Sequence, residues 1–163
     1  ELDGLWTQWH ENGQKEREGH VKDGKEDGLW TYWRENGQKE REAHYKNGKL
    51  NGKRFYWFED GKWWDEYYVD DWQDGKQIWW RKSGKKEREQ HYENRKKHGK
   101  ETAWHKNGKK FLDSNYKDGK LHGTYAVWHE NGQLKEKAEY RDGQMLGKKT
   151  CWDDAGKEIV CKG

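Results

Sequence analysis

A strict period runs through the chain and decides what it can fold into. Gly4, Gly28, Gly52, Gly75, Gly99, Gly123 and Gly147 stand 24 residues apart, with one interval of 23. Nine residues after each comes another glycine: Gly13, Gly37, Gly61, Gly84, Gly108, Gly132 and Gly156. Five residues after the first glycine a Trp stands in all seven copies. A register kept this closely is the mark of a tandem array. We divide residues 1–163, taken as one domain, into repeats 4–27, 28–51, 52–74, 75–98, 99–122, 123–146 and a truncated 147–163.

Composition narrows the class. With 40% charged and 29% hydrophobic residues, the chain has no apolar run of the length that spans a bilayer as a helix, about 20 residues. Such polarity also suits disorder, but disordered chains are poor in aromatics and this one has 13 Trp. A folded chain with a thin core is therefore expected. The net charge of +3 gives no strong electrostatic case for nucleic acid or for an anionic membrane.

Within a repeat the period is that of strands. Leu29 to Arg34 is aromatic and β-branched and ends at Glu35-Asn36-Gly37, while Lys39 to Lys46 ends at Asn47-Gly48. Asn-Gly supplies the positive φ that tight hairpins require. The expectation is an all-β fold of tandem antiparallel β-hairpins, about fourteen strands forming one elongated meander sheet or a β-solenoid. If residues pair symmetrically about the Glu-Asn-Gly glycine, Thr31 and Trp33 share a side with Ala43 and Tyr45. Trp9, Trp33, Trp57, Trp80, Trp104, Trp128 and Trp152 then form a buried structural core, with small residues opposite the indoles. Arg34, Glu40, Glu42 and His44 fall on the solvated face.

The repeat G-x-W-x-x-W-x-E-N-G-Q-x-x-x-E followed by Y-K-x-G-K-x-x-G, as in Gly28 to Gly52, resembles the MORN-type repeat. The bacterial variant, found in proteins described as antitoxin-like, is the most similar form. The matching residues include the Trp at the fifth place, the Asn-Gly turn and Tyr45, Tyr92, Tyr116 and Tyr140. The pattern departs at 70–74 and at Arg95, where the expected Gly is replaced. The resemblance implies a run of β-hairpins that contacts proteins or membrane lipid, with no catalytic residues to carry over.

The third repeat is one residue shorter and rich in aromatics. Under the same alternation Tyr56, Phe58, Trp64 and Tyr68 lie on the face that is charged elsewhere, joined by Trp30, Tyr32 and Trp79. Two readings stay open: a binding patch, since large exposed aromatic surfaces mark interfaces, or a second small core. Cys151 and Cys161 flank Gly156 and, paired symmetrically, face each other. They either form a disulfide, which suits an extracellular or periplasmic location, or remain reduced. The eight histidines recur at three repeat positions without zinc-ligand spacing, so no metal is expected. Lysines recur beside the turns, as at Lys15, Lys39 and Lys86, where they keep edges soluble or touch phosphates. No catalytic motif or cofactor site is present in the sequence, and an enzyme is not expected.

The functional expectation is a non-enzymatic scaffold binding a protein partner through the aromatic patch of the second to fourth repeats, in immunity or antitoxin fashion. Its alternative is a structural protein that assembles head to tail into a fibre, with open sheet edges at both ends. A cell-surface carbohydrate, choline or anionic-lipid binder is the third reading.

Overall fold

Short aromatic segments punctuated by Asn-Gly and Asp-Gly fold into hairpins wherever the turn residues accept positive φ. In the computed structural model, which describes residues 3–161, no helix occurs among the described residues and all fifteen elements are strands. The chain divides into two compact bodies, one up to Gly75 and the other from Lys76. In the first body β1 (Gly4–Trp9), β2 (Lys15–Lys22), β3 (Lys25–Trp33), β4 (Lys39–Lys46), β5 (Lys49–Trp57) and β6 (Trp63–Val69) form an antiparallel meander. The two-residue β7 (Trp72–Gln73) pairs with β6. In the second body β8 (Gly75–Trp80), β9 (Lys86–Glu93), β10 (Lys96–Trp104), β11 (Lys110–Lys117) and β12 (Lys120–Trp128) follow in order. They continue into β13 (Leu134–Arg141), β14 (Gln144–Trp152) and β15 (Glu158–Ile159). The all-β hairpin-repeat architecture is the one expected.

The turns between repeats have both central residues at positive φ, as at Asn47 (52°) and Gly48 (80°). Asp71 (68°) and Arg95 (66°) adopt this conformation without being glycine. The departures from the repeat pattern there leave the turn shape intact.

The turns within repeats correct the expected faces. Trp33 pairs with Lys39, but Tyr32 pairs with Arg41, so Glu40 is a bulge residue with no partner. The same slip occurs between Gln8 and Trp9, between Ala103 and Trp104 and between Val127 and Trp128. One extra residue shifts the register by one, and because side chains alternate, it moves a whole strand to the other face. Ala43 and Tyr45 therefore lie with Trp30 and Tyr32, not with Trp33. The residue missing from the third repeat is the bulge residue: Trp57 pairs with Trp63 and Tyr56 with Trp64 in unbroken register.

The core follows from this register. One place in the second strand of the first six hairpins is buried: Gly19, Ala43 and Glu66 in the first body, Gln90, Ser114 and Ala138 in the second. In each body we call the side these residues share the packed face. Trp30, only 2% exposed, lies over Gly19, where a Cβ would come within 2.3 Å of the indole. Ala43, opposite Trp30, is fully buried. Elsewhere the same row is polar. Glu66 meets Arg54 at 3.3 Å and accepts hydrogen bonds from Tyr68 (3.0 Å) and Gln73 (3.2 Å). Glu101 meets Arg88 at 3.3 Å and Lys97 at 3.2 Å.

The seven recurrent tryptophans are not this core. Trp9 is 56% exposed and the other six are half-buried, all on the opposite side, the ladder face. Cys151 pairs across the last hairpin with Ile159, not with Cys161, yet the two cysteines are joined as a disulfide with Cα atoms 5.3 Å apart.

Two outcomes follow from this packing. Gly19→Ala is expected to destabilise the chain by about 1–3 kcal/mol through overpacking against Trp30, and Trp30→Ala by about 3–5 kcal/mol. Trp33→Ala should cost less than Trp30→Ala, the reverse of a ladder-Trp core, as read by urea unfolding of the three variants. Reducing the disulfide should lower stability by roughly 2–3 kcal/mol, seen as an earlier urea midpoint.

Candidate binding surface

On the ladder face lysines at the start of the second strands stand beside recurrent tryptophans. Lys15 Nζ lies 5.9 Å from the centre of the Trp9 ring and 5.7 Å from that of Trp33, bridging two repeats. Lys86 bridges Trp80 and Trp104 at 5.7 and 5.9 Å, and Lys110 lies 5.6 Å over Trp128. Such cation–π contacts contribute about 0.5–1 kcal/mol each when exposed.

Three residues further on, an acid holds each lysine: Lys15 with Glu18 at 2.6 Å, Lys39 with Glu42 at 2.5 Å and Lys110 with Asp113 at 2.9 Å. A second lysine reaches the same acid in the second body, Lys76 to Glu89 at 3.0 Å and Lys100 to Asp113 at 3.2 Å. Thr7 and Thr102 donate to Glu18 and Asp113 at 3.1 and 3.0 Å. Burial pushes the Asp113 carboxyl up, but hydrogen bonds from Lys110, Thr102 and Lys100 outweigh it and hold the group below its ordinary value. Glu89 is held low in the same way by Lys86 and Lys76. In the sixth repeat Leu134 and Lys137 occupy the places of Lys110 and Asp113. This departure carries no signal in the glycine and tryptophan pattern.

The seven residues expected to form a patch lie on the packed face and differ in environment. Trp30 is buried, and Tyr32 carries the Arg41 guanidinium 3.8 Å over its ring. Tyr56, Phe58 and Trp64 form one cluster with centroids 5.0 to 5.3 Å apart. Phe58 is 38% exposed, whereas the other two are half-buried. Tyr68 donates to Glu66, and burial together with that carboxylate pushes its phenol up to about 12. Trp79 belongs to the second body and is half-buried. The structure thus places these rings in packing positions and leaves Phe58 as the most open of them.

Three of the recurrent histidines serve the turns. His10 Nε2 donates to the Trp33 carbonyl at 2.8 Å, His105 to that of Trp128 at 2.9 Å and His129 to that of Trp152 at 2.9 Å. Arg34 and Arg81 occupy the same repeat position and donate to the carbonyls of Trp57 and Trp104. Asn12, Asn107 and Asn131 make a second forward bond, to the carbonyls of Glu35, Glu130 and Asp154, at 2.6 to 2.7 Å. The signal for these links in the sequence is the recurrence of His or Arg, and of Asn, at two fixed repeat positions. No group of three or more potential metal ligands occurs among the described residues.

Hairpins of nearly one length, stacked within each body through side-chain bonds from one turn to the next, define a β-hairpin repeat protein. A family model described as the MORN repeat variant matches residues 2–23, 26–47, 73–94, 97–118 and 121–142, more than half of the chain. The chain belongs to this MORN repeat family, whose repeats are generally scaffolds for protein or membrane-lipid contacts. No curated protein matches the sequence.

The ladder's ion pairs give a pH signature. The contribution of Asp113 is complete above its unfolded value of about 3.9 and is lost as pH falls through its lower folded value. Asp113→Asn should flatten the acid limb of a stability–pH curve measured by thermal melts, while leaving the slope above pH of about 6 unchanged.

Proposed function

We propose that this chain is a non-enzymatic scaffold that binds a protein partner through its third repeat. One observation carries the reading: Tyr67, Val69 and Trp72 are 42%, 43% and 48% exposed and share one face at the β6–β7 hairpin, where Val69 pairs with Trp72. Exposed aromatics gathered this closely mark interfaces more often than isolated exposed residues do. Nearly all of the same repeat lies between the family matches at 26–47 and 73–94. Of the residues of the aromatic patch, Phe58, Tyr56, Trp64 and Tyr68 lie on the packed face, behind this surface, and support the hairpin from there. An immunity-like role, with a toxin as the partner, is one form such binding takes.

The groups with raised pKa give no support to an enzymatic reading. Glu66 and Tyr68 are bonded to each other, and Arg54 is paired with Glu66. Head-to-tail assembly is disfavoured by the seventh turn. There Asp153 stands in the place of the donors His10 and His129 and accepts bonds from the Ala155 and Lys157 amides, at 3.1 and 2.8 Å. Ala155 replaces the forward-donating Asn.

The test is a cross-linking capture in the native host with the full chain and the double variant Tyr67→Ser/Trp72→Ser. Loss of one specific partner with an unchanged melting profile is the expected outcome. Equal capture by both forms overturns the third-repeat surface. In light scattering the mass should stay that of one chain over a hundredfold concentration range, and a mass that climbs without limit would establish assembly instead.

A further inference from the structure

The sixth repeat breaks the ladder pattern at the residues that line a groove. In every earlier repeat the place of Lys137 holds an acid: Glu18, Glu42, Asp65, Glu89 and Asp113. In four of those five the place of Leu134 holds a lysine that pairs with the acid or stands over Trp. Ala126 takes the place of Thr102, whose hydroxyl donates to Asp113. The three changes remove the ion pair and the threonine that fill this space in the fifth repeat. What remains is a groove of about 450 Å³ walled by Trp128, Leu134 and Ala126 and bordered by Lys137, Lys100 and Asp113.

Its charge is not balanced from within. Asp113 already meets Lys100 and Lys110 and accepts from Thr102, and Glu139 accepts from Thr124 at 2.6 Å. Lys137 is exposed and forms no ion pair among the described residues. A slot of this size with apolar walls and one unanswered cation suits a bulky aliphatic side chain next to a carboxylate. A flat lipid surface would reach the ammonium group but leave the slot unfilled.

We propose that this groove seats a short acidic–aliphatic peptide segment of the partner, its aliphatic side chain against Trp128 and Leu134 and its carboxylate on Lys137. The proposal rests on the protein-binding reading above but uses a different surface from the third repeat.

The experiment is an NMR titration of the full chain with acetyl-Gly-Leu-Glu-Gly-amide, following the Trp128 indole N–H and the Leu134 methyls. Saturable shifts at both in the millimolar range are expected, with the Gln analogue roughly two- to fivefold weaker. Lys137→Gln should abolish that difference. The triple variant Ala126→Thr/Leu134→Lys/Lys137→Asp restores the fifth repeat's residues, so it should fold, and it should lose the shifts. Absence of saturable shifts at Trp128 and Leu134, equal affinity for the Glu and Gln peptides, or undiminished binding by the triple variant would overturn the proposal. Capture of a partner that depends on Tyr67 and Trp72 but not on the triple change would refute the groove and keep the scaffold. Peptide binding without any captured partner would refute the third-repeat reading and keep the groove.

Discussion

The placement of side chains in this array depends on a single unpaired residue in the first, second, fifth and sixth hairpins. At the bulge after Trp33 the pairing passes from Lys39 to Arg41, and every residue beyond it changes sides. That slip sets Ala43 opposite Trp30, while Lys39, on the turn side of it, pairs directly with Trp33. Where the residue is missing, in the third repeat, the lysine's place is taken by Trp63 and the arginine's by Trp64. An aromatic hairpin thus replaces one built of ion pairs through the loss of one position, without altering which strands pair.

The glycine and tryptophan period was enough to establish repeats, hairpins and turns, because each depends on local backbone conformation. The assignment of faces was not, since a bulge leaves no mark in composition and symmetric pairing about Gly37 is the simpler assumption. Trp33 and its equivalents were read as core because they never vary. Their constancy has another source: Trp9, Trp33, Trp80, Trp104 and Trp128 offer their rings to a lysine, and from the second repeat onward most offer their carbonyl to the preceding turn. The cysteine pair could be anticipated from its place around Gly156, although strand pairing matches Cys151 with Ile159. The groove in the sixth repeat could not be anticipated, because a lysine in place of an acid stands out only when the acid's partners are known.

A core this thin carries charge. Glu66 and Glu101 are 5% and 2% exposed, and each is surrounded by Arg, Lys or amide donors. Buried pairs of this kind add little net stability over apolar replacements, but losing one partner strands the other charge at a cost of about 3–5 kcal/mol. They penalise any slip in which the acid meets the wrong neighbour. In a repetitive sheet, where one hairpin resembles the next, such penalties help to tell the correct pairing from its near copies.

The forward bonds between turns end on main-chain carbonyls. An acceptor of that kind is present whatever side chain the receiving residue bears, so the joint between consecutive repeats is blind to its neighbour's identity. Whole repeats can be duplicated, deleted or exchanged during evolution without a compensating change next door. Exposed positions, such as those of the third and sixth repeats, are thereby free to diverge one repeat at a time.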